Sequence, residues 1–105
     1  MKVKLSRNAA DYVRQEAAYL RQHSRAAAEH FLERVKSVRR DLAGFAEAGF
    51  SEEGLPVPGL RRLVRDGYFY DYRIRETEIE VVAISSSVNR PLRNPSDDDD
   101  LDFEV

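Results

Sequence analysis

Residues 60–85 read LRRLVRDGYFYDYRIRETEIEVVAIS, and this stretch decides the fold. The dipeptide Asp66-Gly67 predicts a tight hairpin turn, because glycine accepts the positive φ that a type I′ turn requires. The turn separates a predicted strand at about 60–65 from a second predicted strand at 68–75. The middle of the chain therefore predicts an antiparallel β-hairpin.

The second and third strands carry residues expected in the core. On the second strand, one face holds Tyr68, Tyr70, Tyr72 and Ile74, and the other holds Phe69, Asp71, Arg73 and Arg75. We interpret the tyrosine row as core rather than as a base-stacking platform, because aromatic alternation is ordinary in strands. A turn at Glu76-Thr77 leads to a third strand at about 78–85. That strand is apolar on both sides in its second half, which is typical of a central strand.

The N-terminal half predicts a short strand followed by two helices. Residues 2–6 alternate polar and apolar side chains, as a half-buried strand does. Asn8 is a suitable N-cap for a first helix, and Ser24 for a second helix that ends before Gly44. A very short link makes the two helices turn back on each other. The predicted class is α+β: a short N-terminal strand and an α-helical hairpin packed on a C-terminal antiparallel sheet of three to four strands.

Two further segments are irregular in sequence. Residues 44–59 are rich in glycine and proline and predict a long connection, which Phe45, Phe50 and Leu55 are expected to pin to the core. Residues 94–105 form an acidic tail that is expected to be disordered. We therefore predict one domain, residues 1–93, followed by that tail.

The composition excludes several classes of protein. The 105 residues include no cysteine, which rules out a disulfide framework and a thiolate metal site, and the only histidines are His23 and His30. No stretch approaches the roughly 18 apolar residues of a membrane span. The N-terminus lacks the apolar core of a secretory signal. We expect a soluble, cytoplasmic protein without cofactor or metal ion.

The net charge of −2 conceals an asymmetry. Residues 97–105 hold six acidic side chains and no basic one. Leaving those six out of the 19 acidic residues leaves 13, against 17 basic ones, so residues 1–96 carry +4. The tail is interpreted as a solvated end; as alternatives, it mimics a nucleic acid or lies on the basic sheet of its own chain.

Short motifs recur along the chain in a characteristic order. They are Asp11-Tyr12, Phe31, Gly59-Leu60-Arg61-Arg62-Leu63, Asp66-Gly67-Tyr68, Tyr72-Arg73-Ile74 and Val81-Val82-Ala83-Ile84, which runs toward Arg90. In order and spacing the chain resembles the RelE/ParE superfamily of bacterial toxins from type II toxin–antitoxin modules, and the ParE branch most closely. The resemblance covers about residues 2–93.

The resemblance implies a partner and a target. It implies an antitoxin of the ParD kind, which folds along the toxin surface, and no direct contact with nucleic acid except through that antitoxin. RelE-like members cut messenger RNA on the ribosome, whereas ParE-like members block DNA gyrase and have no known catalytic site. We therefore expect a ParD-neutralised toxin that inhibits DNA gyrase by binding.

The residues favour the non-catalytic branch. Cleavage of RNA needs groups that transfer protons, and RelE-like nucleases carry a tyrosine or histidine after the last strand. Here residues 85–91 contain neither, and Val64 stands at the strand position where those nucleases carry an arginine. The alternatives left open are a ribosome-dependent ribonuclease of the RelE type and a partner-binding remnant without toxicity.

Arginine dominates the cations of the predicted sheet. An arginine guanidinium pairs with carboxylates through a planar fork, so these side chains are candidates for binding the antitoxin or the target. The alternative is that they only keep an exposed strand from pairing with other chains. The candidates are Arg61, Arg62, Arg65, Arg73, Arg75 and Arg90.

Overall fold

The computed structural model of the chain describes residues 1–51 and 59–87. It confirms the predicted α+β class, with a strand, two helices and three further strands in that order. The elements are β1 (Lys2–Leu5), α1 (Arg7–Arg21), α2 (Arg25–Gly44), β2 (Arg61–Arg65), β3 (Tyr68–Ile74) and β4 (Glu78–Ser86). The predicted disordered tail, and Leu55 of the connection, lie outside the described residues.

The four strands form one sheet in the order β1-β4-β3-β2. The three C-terminal strands are antiparallel, as predicted, and β4 is a central strand. The N-terminal strand adds to the sheet parallel to β4, with Leu5 opposite Val81, so the sheet is mixed. A parallel neighbour requires a long crossover connection, which here includes the whole helical hairpin.

Serine caps begin both helices. The Ser24 hydroxyl accepts a hydrogen bond from the Ala27 N–H at 3.1 Å, which confirms the predicted cap of α2. The prediction of Asn8 for α1 is wrong, because Ser6 caps that helix and accepts from the Ala9 N–H. The Asn8 amide instead donates to the carbonyl of Val82 at 3.2 Å. Serine and asparagine are both good N-caps. Strand β1 ends at Leu5, so the helix begins directly after it and Ser6 takes the N-cap position.

The core lies between the helical hairpin and one face of the sheet. Tyr70 and Tyr72 are buried there, which confirms the core interpretation of the tyrosine row. A bulge interrupts the alternation of side chains on β4. Tyr72 of β3 pairs with Val81 and Asp71 pairs with Ala83, so Val82 has no partner residue on β3. As a result Ile84, and not Ala83, joins the buried cluster.

The hairpin turn between β2 and β3 has the predicted backbone. Asp66 and Gly67 have φ values of 53° and 83°, the two positive angles of a type I′ turn. The hydroxyl and the N–H of Ser87 both donate to the carbonyl of Gly67 at 2.8 Å. The end of β4 is thereby tied to the turn.

The segment after α2 is anchored differently from the prediction. Phe45 and Phe50 are 63% and 43% exposed, so they do not pin the connection to the core. The smaller Ala46 and Ala48 pack there instead. The Tyr72 hydroxyl donates to the Ala46 carbonyl at 2.7 Å and accepts from the Gly49 N–H at 2.9 Å. Buried hydrogen bonds, rather than aromatic packing, therefore hold this segment.

The hydroxyl of Tyr70 differs from that of its neighbour Tyr72. It is buried and has no hydrogen-bond partner among the described residues. Burial, with a contribution from the negative charge of Asp66, raises the pKa of Tyr70 to about 12. The folded protein therefore strongly favours the neutral phenol.

A dependence of stability on alkaline pH follows from Tyr70. The pKa of an unfolded tyrosine is about 10, so the folded state holds this proton more tightly. The corresponding stability is complete below pH 10 and is lost as the pH rises toward 12. We expect the free energy of unfolding to fall more steeply across this window in the wild type than in Tyr70→Phe. Urea titrations from pH 8 to 12 measure this difference, and parallel curves would contradict the prediction.

Neither of the two helices within residues 1–51 and 59–87 is long and apolar enough to cross a lipid bilayer.

Candidate binding surface

The two faces of the sheet have different environments. Core residues such as Leu63, Tyr70 and Val81 point toward the helices, and their neighbours along each strand point away. We call the second face the open face. Its side chains are Lys2, Lys4, Arg62, Val64, Phe69, Asp71, Arg73, Glu78, Glu80, Ala83 and Ser85.

The centre of the open face is an arginine–aspartate pair. Arg62 donates from Nε to Asp71 Oδ1 at 2.6 Å and from Nη2 to Oδ2 at 2.9 Å. The guanidinium also lies 4.4 Å from the centre of the Phe69 ring, within the range of a cation–π contact. Asp71 is only 6% exposed. A buried carboxylate with a bidentate partner on a ring is primarily structural, and it leaves Arg62 little freedom to bind another molecule.

A second group of charges lies at the β3–β4 end of the open face. Arg73 Nε and Arg75 Nη2 both approach Glu80 Oε1, at 3.0 and 3.3 Å. Partial desolvation raises the pKa of Glu80, but the hydrogen bond from Arg75 and the charge of Arg73 outweigh this effect and lower it. Glu80 therefore stays ionised at neutral pH. Two half-exposed guanidinium groups share one carboxylate, so this trio carries a net positive charge.

Arg61 and Arg65 belong to the opposite side of the sheet. Arg61 donates from Nη2 to the carbonyl of Gly49 at 2.7 Å, and Arg65 pairs with Asp41 of α2 at 2.6 Å. The candidate arginines of β2 and β3 therefore do not share one face of the sheet. The period of two places residues 61 and 65 on the helix side, whereas Arg73 lies on the open face.

No histidine or tyrosine side chain lies on the open face within the part of the chain that the structure describes. Its described ionisable groups are lysine, arginine, aspartate and glutamate. Val64 is 48% exposed on this face, and both histidines lie on the exposed surface of the helical hairpin. His23 packs its ring against Tyr19 at a centroid distance of 5.1 Å. Within residues 1–51 and 59–87, no three side chains of histidine, aspartate or glutamate are grouped to hold a metal ion. Arg90 lies outside the described residues.

Comparison with known proteins identifies the family. The profile of the family described as ParE toxin of type II toxin-antitoxin system, parDE, matches residues 3–90. The chain belongs to the ParE toxin family. Members of this family are the toxin components of type II toxin–antitoxin systems, and the partner of such a toxin is an antitoxin. A search of curated proteins finds no significant match.

One solved structure supports the fold of this ParE-family chain. A chain of the chromosomal ParDE TA system from P. aeruginosa superposes with a TM-score of 0.61 at 22% identity. The match covers 82% of this chain and 95% of that one. At this identity the similarity concerns the fold, and it agrees with the strand–hairpin–sheet order seen here.

Two acidic residues of the ParE-family sheet matter for binding although the sequence pattern did not indicate them as candidates. The carboxylates of Asp71 and Glu80 decide which arginines are already engaged. The first of them could have been found, because counting outward from the type I′ turn pairs Arg62 with Asp71. Glu80 could not, since its register depends on the irregular β3–β4 pairing.

Proposed function

We propose that this chain is a growth-arresting toxin that binds DNA gyrase and is held inactive by a ParD-like antitoxin. The family match over residues 3–90 is the observation that carries the proposal. The similar solved structure is named as part of a ParDE TA system, and this supports a ParD-like antitoxin as the partner. Both proteins would meet in the cytoplasm.

We assign the cationic contact to Arg73 and Arg75. Their side chains are 48% and 50% exposed, and their shared carboxylate, Glu80, balances only one of the two charges. The other described candidates are engaged by their own chain: Arg61 by the carbonyl of Gly49, Arg62 by Asp71 and Arg65 by Asp41. An acidic segment of a partner can therefore bind the Arg73 and Arg75 forks with the least loss of internal contacts.

The proposed mode of action is binding without covalent chemistry. The open face offers paired cations and carboxylates, together with the apolar surface of Val64 and Phe69. This combination suits recognition of a protein surface, where arginine and aromatic side chains contribute most of the binding energy. Among its described side chains there is no histidine or tyrosine, the residue types that RelE-like nucleases place after the last strand.

Induction of the gene with and without the neighbouring upstream reading frame tests the proposal. Growth arrest that the second frame relieves, with inhibition of DNA supercoiling by purified gyrase and intact transcripts, is the expected result. Cleaved transcripts in a translating extract would instead indicate a ribonuclease of the RelE type. Normal growth without the partner frame would indicate a remnant that has lost toxicity.

Replacing Arg73 and Arg75 together by alanine is expected to weaken binding of the antitoxin or of gyrase. The expected loss is about tenfold, or about 1.4 kcal/mol for the two side chains together, because arginine is enriched among the interface residues whose truncation costs most binding energy. Glu80 is only 15% exposed and loses both partners in this variant, so a thermal melt must first show that the variant is folded. Calorimetric titration with the co-expressed partner measures the affinity.

Arg25→Ala provides the matched control. Arg25 lies at the start of α2, and the helices cover the face of the sheet opposite to the open face. Its side chain is 86% exposed and pairs only loosely with Glu29 at 3.5 Å. Unchanged affinity in the double variant, with a loss in Arg25→Ala, would place the binding surface on the helices instead.

A further inference from the structure

A surface groove lies between the end of β1, the first half of α1 and the middle of α2. Its volume is about 290 Å³. The floor is apolar and consists of Leu5, Ala10, Val13, Leu32 and Val35. The two valines are almost fully buried, whereas the other three side chains are partly exposed to solvent. The groove therefore presents an apolar floor that the described residues leave uncovered.

The rim of the groove is basic. Among the residues that the structure describes, three cations line it, Arg14, Lys36 and Arg39, and no acidic side chain does. Arg14 pairs with Asp11, Lys36 lies 3.5 Å from Glu33, and Arg39 donates to the Val3 carbonyl at 3.0 Å. The first two contacts are surface pairs within one helix, which contribute little and exchange readily. An acidic segment with apolar side chains fits such a groove.

The C-terminal segment of the chain has this chemistry. Residues 97–105 read DDDDLDFEV, in which Leu101, Phe103 and Val105 alternate with acidic residues. In an extended backbone the three apolar side chains share one face and the intervening carboxylates share the other. Apolar groups can then enter the groove while carboxylates reach its rim.

The connecting chain is long enough to bring this segment to the groove. Leu5 lies opposite Val81 in the parallel register, and Ser87 follows six residues later. That stretch of β4 is about 20 Å long at about 3.3 Å per residue. The nine residues 88–96 span up to about 30 Å when extended. A chain that turns back after β4 can therefore place residue 97 beside the groove.

We propose that residues 97–105 bind in cis to the groove between β1, α1 and α2. The apolar residues of the segment cover Leu5 and Leu32, and its carboxylates pair with Arg14, Lys36 and Arg39. This docking does not depend on gyrase or on any other target, because it needs only contacts within one chain. It gives the acidic end of the chain a specific location on the basic body.

A fluorescence experiment on the full-length protein tests this docking. The sequence contains no tryptophan, so Phe103→Trp introduces a single indole into the segment. We expect blue-shifted emission and reduced quenching by acrylamide, independent of protein concentration. Adding Lys36→Glu should abolish both effects, because it reverses one charge of the rim at a side chain that is 69% exposed.

The control adds Arg25→Glu to Phe103→Trp and makes the same change of charge at the first residue of α2, outside the groove. It should retain the blue shift and the protection from quenching. Emission typical of a fully solvated indole in the Phe103→Trp protein would overturn the proposal. So would a shift that appears only at high concentration, which would indicate the tail of a second copy, or a shift that Lys36→Glu leaves intact.

Discussion

Gly49→Ala is expected to destabilise the protein by about 3 kcal/mol, because a side chain at this position has no space. A Cβ there would lie 2.7 Å from the Arg62 carbonyl oxygen and 2.9 Å from Cε1 of Tyr72. The neighbours cannot easily move. Phe50 and Arg62 exchange backbone hydrogen bonds of 2.9 and 2.7 Å, and the Tyr72 hydroxyl accepts from Gly49 itself.

Gly44→Ala is the matched control for this prediction. A Cβ at Gly44, the last residue of α2, meets no atom within 4 Å. Alanine at that site should be neutral or stabilise by about 0.5 kcal/mol, since it reduces the freedom of the unfolded chain. In a domain of this size each kcal/mol shifts the Tm by about 4–8 °C. Equal Tm values for the two variants would contradict the close packing at Gly49.

Asp71→Ala is expected to destabilise the protein by a similar amount, about 3 kcal/mol. The substitution leaves the Arg62 guanidinium against Phe69 with its bidentate acceptor removed, in a site where Asp71 is only 6% exposed. The Arg62 side chain is only 21% exposed, and leaving a mostly buried charge without its partner destabilises the fold by more than the intact pair stabilised it. Urea denaturation of the two proteins at pH 7 measures the loss.

Two comparisons make this prediction specific to burial. Removing both charges, in Arg62→Met with Asp71→Ala, should recover much of the loss, because no unpaired charge remains. Glu29→Ala removes one partner of an exposed pair and should change stability by at most about 0.5 kcal/mol. An Asp71→Ala protein as stable as Glu29→Ala would show that the central pair is not structural.

Ion pairs within the chain lower the positive charge that the sheet of this ParE-family protein presents to a partner. Carboxylates of the same chain already engage much of the sheet's arginine, so the number of arginines overstates the charge that a partner meets. The pair formed by Arg62 and Asp71 is closed, whereas the trio of Arg73, Arg75 and Glu80 retains one positive charge. Around these two groups, a partner that binds the open face therefore meets a mostly balanced surface with one basic corner.

The sequence alone determined the elements whose signals are local. The type I′ turn follows from Asp66-Gly67, because only a few residues accept positive φ at both central positions. The buried tyrosines follow from period-two alternation along β3. The helical hairpin follows from apolar spacing and the cap at Ser24. The family resemblance rested on the order of these same elements, and the match over residues 3–90 confirmed it.

Only the tertiary structure decided where the charged and small residues act. The partner that Arg61 finds depends on the segment around Gly49, and the bulge at Val82 sets which residue of β4 enters the core. Each of these outcomes joins residues far apart in sequence. Local propensity carries no information about such contacts, because their free energy depends on distances that exist only after the chain has folded.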